Sequence, residues 1–548
     1  FFCLLAGDYH TNMPIRKAVW KYGNDDHRLP PYPHDNGEYA CPTDNYFIDL
    51  TTNWDLQIRD NLTIWTGDEA VLKFNWSIPV GRLLCSTSEE IERYTRKLML
   101  YEANPGYGKN DYLTKALFFE SCNTEYSSDG SSSHTSCMIS VEDSKPARIA
   151  CNHLFDIVFV QDPAHQTRYH QPLDSTSLKP QDGPTGTYLV QWIGKTGFSS
   201  WHGHGSPYGV ICSSYCRVLY TDDSRADKFP YNTPNAFYNT PGSGLTNLTN
   251  YDCPAVVYSG SCDNAPFDAL VWMNGDEATP LNEMNLGAAF TTAGDYGGPA
   301  AIMNTRAGLM RTSGIAESKF INALKDCPII GAAHCASKQQ LDGYHVRSTV
   351  SLIGDPEFNM WLDKPQELDI TVSERANGFS LSGSCLESLR LVLSNRNRHY
   401  IYPQGSVHEG SYLTLFDGGG EYCVSIWKTG YLPIVRLMAQ CGVLSDGERC
   451  YSVRDAILGF SSNVVQNGYY TVSGNGSLYV RAVDGVQLNK GFEIDRGGTV
   501  TIKCGRTAYL NGGRVKAGGK LRIEAHDVQF GPGFVVEPGG TIDIQIKK

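Results

Sequence analysis

Two short stretches hold the residues best suited to covalent chemistry. Trp201-His202-Gly203-His204-Gly205-Ser206 sets histidines in a glycine-rich turn. Ser259-Gly260-Ser261-Cys262-Asp263-Asn264 sets a cysteine directly after the apolar run Pro254-Ala255-Val256-Val257-Tyr258. A thiolate, not a thiol, is the attacking species, and a neighbouring imidazole generates it at neutral pH. The pair has to meet only in the fold. Taken singly, each has a plainer reading: a cysteine after an apolar run is a small buried hydrophobe, and a histidine in a glycine turn is a surface residue. Taken together, His204 and Cys262 point to acyl transfer by a thiol nucleophile and its base. His202 and His204 also form an H-x-H pair. Zinc needs three or four ligands of matched geometry, and no C-x-x-C or H-E-x-x-H accompanies them. Metal binding is therefore the weaker reading, and no metal ligands are assigned.

The elements that must position these residues follow from local pattern. The run before Cys262 reads as a strand buried on both faces, as in a parallel sheet, where reactive groups collect at the carboxyl ends of strands. Tyr188-Leu189-Val190-Gln191-Trp192 reads as the strand that carries His204. Gly203 and Gly205 allow the backbone beside His204 to approach a substrate closely. After Pro79-Val80-Gly81-Arg82-Leu83, Ser86 or Ser88 caps a helix with Glu89 and Glu90 in its first turn. Ile91, Tyr94, Leu98 and Tyr101 give that helix one apolar stripe. Ala288-Ala289-Phe290 reads as a helix end, and Gly297 to Met303 as the approach to the next core strand. Two polar, aperiodic stretches, 123–136 and 220–252, read as loops flanking the site, and loops of that length are usually functional or disordered.

Composition narrows the class. The chain has 548 residues, enough for several domains, with 41% hydrophobic and 19% charged residues. A net charge of −12 argues against nucleic acid, whose binders carry basic patches. No run of 18 or more apolar residues predicts a membrane span. Seventeen cysteines are many for a cytosolic enzyme. Sixteen can pair and leave one thiol, which suits a nucleophile in a secreted protein, or some of the sixteen are buried thiols. Close spacing suggests local bridges for Cys122/Cys137, Cys327/Cys335 and Cys441/Cys450, and Cys385/Cys423 suggests one within a β domain.

The pattern Gly203-His204-Gly205-Ser206, followed by an apolar strand ending in Ser261-Cys262, resembles the gingipain family of cysteine peptidases. Leu4-Leu5-Ala6-Gly7-Asp8, Pro42-Thr43-Asp44-Asn45-Tyr46-Phe47, the Gly81-Arg82 strand with Ser88-Glu89-Glu90-Ile91, and Ile353-Gly354-Asp355-Pro356 extend the resemblance in the right order over most of residues 1–365. The resemblance implies a caspase-like α/β fold, a mostly parallel sheet with helices on both faces, whose first strand and helix lie upstream of residue 1. It implies His204 as catalytic base, Cys262 as nucleophile, and the N–H groups of Gly205 and Cys262 as oxyanion hole. His202 has no role in it. A residue that orients the histidine is expected just after Lys115-Ala116-Leu117-Phe118-Phe119: Asn123 in the closest register, or Glu120. Of the acids that select a substrate side chain, the polar loop offers Asp129. No cofactor is required, and a structural calcium ion has no located ligands.

The pattern changes near Pro365. From Leu368 onward short alternating strands separated by turns suggest a β-sandwich. The resemblance implies an immunoglobulin-like module there, over 366–444. In the last part Gly497-Gly498, Gly518-Gly519 and Gly539-Gly540 recur every 21 residues, with Gly476-Ser477 one period earlier. A fixed period of that size with short strands means a stack of β coils. Residues 445–548 thus read as a solenoid-like β stack that also resembles the stacked repeats of bacterial surface proteins. It is expected to act as a spacer or surface attachment, with carbohydrate binding as the other role. The whole reads as a secreted or bacterial surface cysteine endopeptidase acting on proteins or peptides. The alternative is a non-catalytic surface, assembly or adhesion protein that keeps the peptidase fold.

Overall fold

Uncharged, apolar runs such as Val256–Ser259 and Ala300–Asn304 form strands buried at every position, as expected of a sheet covered on both faces. The computed structural model describes residues 2–7, 17–21, 38–48, 55–59, 62–66, 77–103, 105–120, 141–161, 185–213, 216–220, 244–268, 270–273, 277–280, 284–308, 310–341, 344–375, 378–384, 386–394, 399–402, 412–414, 420–440, 463–466, 470–472, 477–482 and 485–547. Within it, residues Phe1–Tyr101 with Lys109–Lys364 form one compact unit, and Glu102–Gly108 with Pro365–Lys548 form another.

The first unit is a caspase-like α/β domain built on an eight-stranded sheet. Its strands follow the order Cys3–Ala6, Val80–Leu83, Val350–Gly354, Ala300–Asn304, Val256–Ser259, Phe198–His202, Lys115–Glu120, Asp156–Gln161. The last five run parallel to one another. Val350–Gly354 runs against Ala300–Asn304, and the first two strands follow the direction of Val350–Gly354. The sheet is thus two parallel blocks meeting at one antiparallel junction.

Alternation sorts the side chains onto two faces. On one, Leu117, Phe119, Trp201, Val257, Ala301 and Met303 pack with Leu189, Val190 and Ile193 of the helix Thr185–Ile193 and with Leu286, Ala289 and Phe290 of the helix Leu286–Thr291. On the other, Phe118 stacks on Phe159 and His202, Phe155 stacks on Phe198, and Tyr258 meets Phe320. The helices Val141–Leu154 and Met310–Asp326 pack together on this side.

The structure changes several expectations. Tyr188 to Trp192 lies in the helix Thr185–Ile193, not in a strand. The strand that leads to His204 is Phe198–His202. Its central Ser199 and Ser200 are fully buried, so its hydropathy hides it. The helix Ser88–Ala103 is capped by Thr87 rather than by Ser86 or Ser88. The Glu90 amide donates to Thr87 Oγ1, and the Glu90 carboxylate accepts from the Ser86 and Thr87 amides, forming a capping box. Tyr94 and Tyr101 of its stripe are buried, whereas Ile91 is 42% exposed. Arg82 and Asp44 form a buried bidentate pair, at 2.6 and 3.0 Å, with Arg82 over the Phe267 ring. They bind two sequence segments into one scaffold.

The expected bridge between Cys327 and Cys335 is absent: both are thiols. Cys335 faces the Ile78 carbonyl from the helix Ile330–Gln339, and Cys327 lies just beyond the end of Met310–Asp326. Burial pushes the Cys335 thiol up to about 11. Cys3 and Cys151 are also thiols, which weakens the inference from cysteine count to an oxidising compartment. Each of the other three suggested bridges has a member outside the described residues. Among the described residues no helix is long and apolar enough to cross a membrane.

The second unit is all β. Two antiparallel sheets, Ile370–Arg375 with Gly378–Gly383 and Tyr412–Thr414, and His399–Tyr402 with Arg390–Ser394, Gly420–Trp427 and Ile434–Gln440, enclose Leu381, Leu391, Leu393, Val424 and Ile426. From Asn463 to Ile546 the chain winds through three parallel four-stranded sheets, each taking every third strand. Inward side chains stack in register, for example Leu478, Val500, Leu521 and Ile542, and form one continuous core.

Candidate active site

The histidine and cysteine segments leave the sheet side by side. Phe198–His202 and Val256–Ser259 are parallel neighbours, with Ser259 opposite Trp201, and the Gly260 amide donates to the Trp201 carbonyl at 2.9 Å. Beyond His202 the chain turns into a hairpin in which His204 pairs with Ile211 and Gly205 with Val210. For His204 the description covers the backbone alone.

Gly205 joins the two segments. A Cβ at this position would overlap the Cys262 carbonyl oxygen and lie 2.5 Å from the Cys262 amide nitrogen. Only glycine permits so close an approach. Residues 204–205 and 262, distant in sequence, therefore meet backbone to backbone at the carboxyl ends of adjacent strands. Asn264 fastens the same junction. Its Nδ2 donates to the Ser206 and Gly209 carbonyls at 2.9 and 3.3 Å, and its Oδ1 accepts from Ser259 Oγ at 2.6 Å. Asn304, at the end of the next strand, donates from Nδ2 to the Gly260 and Ser261 carbonyls at 3.2 and 3.1 Å. These bonds are buried. Each is worth about 1 kcal/mol net and more if one partner is left unpaired.

Cys262 carries a thiol. Its Sγ donates to the Gly308 carbonyl at 3.4 Å and accepts from the Gly308 amide at 3.3 Å. Asp263 follows in the left-handed region, with φ 51°, a conformation Asp tolerates better than most residues. Burial pushes its carboxyl up to about 6, against the pull of Arg306 and with the help of Asp268. Arg306 itself bonds Asp268 at 2.6 Å.

His202 turns its ring into the core of the domain. Its ring is fully buried, stacks on Phe118, and places Nε2 2.7 Å from Glu317 Oε2. Burial, with Glu317 adding to it, raises the Cys151 thiol and the Tyr258 hydroxyl well above their usual ranges. Of the residues expected to orient His204, Glu120 ends its strand opposite His202, buried, with Oε2 accepting from Ser144 Oγ at 2.5 Å. Asn123 and Asp129 lie outside the described residues. Among the described residues no group of three or more His, Cys, Asp or Glu side chains is arranged to hold a metal.

Asn264, Asn304, Asp263 and Glu317 were not singled out from sequence. Asp263 and Asn264 have a local signal, one and two residues after the cysteine. The others act across tertiary contacts that no spacing announces.

A family model described as Peptidase family C25 matches residues 2–361. Among solved structures, the crystal structure of the Arg-specific cysteine proteinase gingipain R aligns with 80% of this chain and 83% of that one, at 13% identity and a TM-score of 0.49. The complex of Porphyromonas gingivalis RgpB pro- and mature domains aligns with 80% and 85%, at 13% identity and a TM-score of 0.49. No curated protein gives a significant match. The family match takes in every strand of the eight-stranded sheet and both segments that meet at Gly205, so the chain belongs to peptidase family C25, the gingipain family, and is a cysteine peptidase.

Proposed function

We propose that the protein is an extracellular endopeptidase in which His204 and Cys262 hydrolyse peptide bonds through an acyl-enzyme. The contact between the Gly205 and Cys262 backbones carries this reading, because it puts the histidine turn against the thiol. His204 takes the Cys262 proton and leaves a thiolate. Sulfur attacks the scissile carbonyl carbon, and its oxygen becomes an oxyanion held by the Gly205 and Cys262 N–H groups. Loss of one such donor costs about 3 kcal/mol. His204 then gives its proton to the leaving amine. It next removes one from water, which hydrolyses the thioester. Asn123 or Glu120 is proposed to orient His204.

Placement outside the cell rests on the appended β modules, which we read as an immunoglobulin-like support over 366–444 and a surface-attaching stack over 445–548. The decisive variant is Cys262→Ala. It should fold with an unchanged circular dichroism spectrum and melting temperature, cleave no peptide library, and lose rapid iodoacetamide labelling. Peptide cleavage by that variant at the parental rate would end the proposal.

A further inference from the structure

The peptidase reaction does not use His202, yet its side chain is wholly buried. Neither it nor Glu317 exposes any side-chain surface, and their bond spans 115 residues of sequence. Three buried polar atoms around it, His202 Nδ1, Glu317 Oε1 and Ser313 Oγ, have no hydrogen-bond partner among the described residues. A cluster of this kind costs stability relative to apolar packing, so packing alone does not account for it.

Its position suggests what it does. His202 ends the strand that leads directly into His204. Glu317 stands on the helix Met310–Asp326, which begins two residues after the Gly308 that bonds Cys262 Sγ in both directions. Between them lies Gly260, at the start of the cysteine turn. A Cβ there would be 2.8 Å from His202 Nδ1 and 3.3 Å from the Ser313 Cβ. One buried bond thus gathers the histidine strand, the cysteine turn and the helix behind the sulfur.

We propose that His202, held by Glu317, is a positioning residue that sets the separation of the His204 and Cys262 segments for the peptidase reaction. The idea rests on the reading of Cys262 as nucleophile. Proton transfer and attack need the two segments in register, and a misplacement near 1 Å costs up to about 100-fold in rate.

The test is the apolar double variant His202→Phe/Glu317→Leu of the full chain. Replacing both members of a buried pair by packed apolar residues is often neutral or stabilising. The expected result is a parental melting temperature, KM within about twofold, and kcat lowered about tenfold or more. A folded double variant with parental kcat would overturn the proposal. Should the double variant not fold, Gly260→Ala keeps both partners and crowds the ring most closely, with Ser313 next. The same selective loss of kcat is expected there, and unchanged kcat overturns the proposal equally. Cys262→Ala, assayed in parallel, separates the two ideas. An inactive Cys262→Ala beside a fully active double variant removes only the role of His202, whereas an active Cys262→Ala removes the nucleophile assignment itself.

Discussion

The residue next to the nucleophile carries a titration of its own. Asp263 is half-buried in the left-handed region, and burial raises its carboxyl to about 6. An acid whose folded value lies above its unfolded value keeps a proton that the unfolded chain has already released. Its contribution to stability is therefore greatest below pH 4, declines as pH rises from about 4 to about 6, and is an unrelieved penalty above that. Asp263→Asn keeps a side chain that tolerates positive φ and removes the ionisation. It should gain about 1–3 kcal/mol over the parent at pH 7 and nothing at pH 4, as read by urea unfolding at both values. Parallel stability profiles for the two proteins would refute this. Single residues differ in how far their type alone announces them. His204 and Cys262 stood out because few residue types can do thiol chemistry. Glu317 did not, because a carboxylate in an amphipathic helix looks like any solvated one until the fold buries it.

At the scale of elements, the site is a junction between a hairpin and a turn, and Gly205 is its contact point. Gly205→Ala should drive the hairpin off Cys262 and lower kcat/KM by about 100-fold, with far-UV circular dichroism retained. Parental turnover in that variant would mean the two backbones are not in contact in solution. The strand before Cys262 was legible because every residue in it is apolar up to Ser259. The strand before His204 was not, since Ser199 and Ser200 spend their burial on polar atoms. The neighbouring helix Thr185–Ile193 took the strand's place in the reading because Tyr188 to Ile193 is a dense apolar run, and density alone does not separate a buried helix turn from a strand. The helix after Arg82 was placed correctly by its stripe and acidic first turn, with its cap displaced by one residue to Thr87.

For the whole molecule, the C-terminal stack offers a graded prediction. Phe530, Val536, Ile544 and Ile546 in its last coil are 38–53% exposed, while Leu510, Val515, Ile523 and Ala525, one coil earlier, are buried. In a linear stack each coil is stabilised chiefly by its neighbours. Leu521→Ala should therefore cost about 2–5 kcal/mol and Ile546→Ala well under half of that. Hydrogen exchange should be fastest in Thr541–Ile546 and slow in Thr499–Cys504. Uniform exchange along the stack would contradict the gradient. The glycine period made these coils visible in sequence.

The antiparallel junction in the main sheet has a consequence for how the enzyme can change. Gly354 pairs with Ala300 at the start of its strand, so Asp355, whose amide donates to the Tyr94 hydroxyl at 2.6 Å, lies at the rim of the sheet opposite to the one from which the cysteine turn leaves. The protein has a working rim and an anchoring rim. Loops on the first can be lengthened, exchanged or selected for new peptides while the second keeps its fastenings, and damage to the second should unfold the domain before it alters which bond is cut.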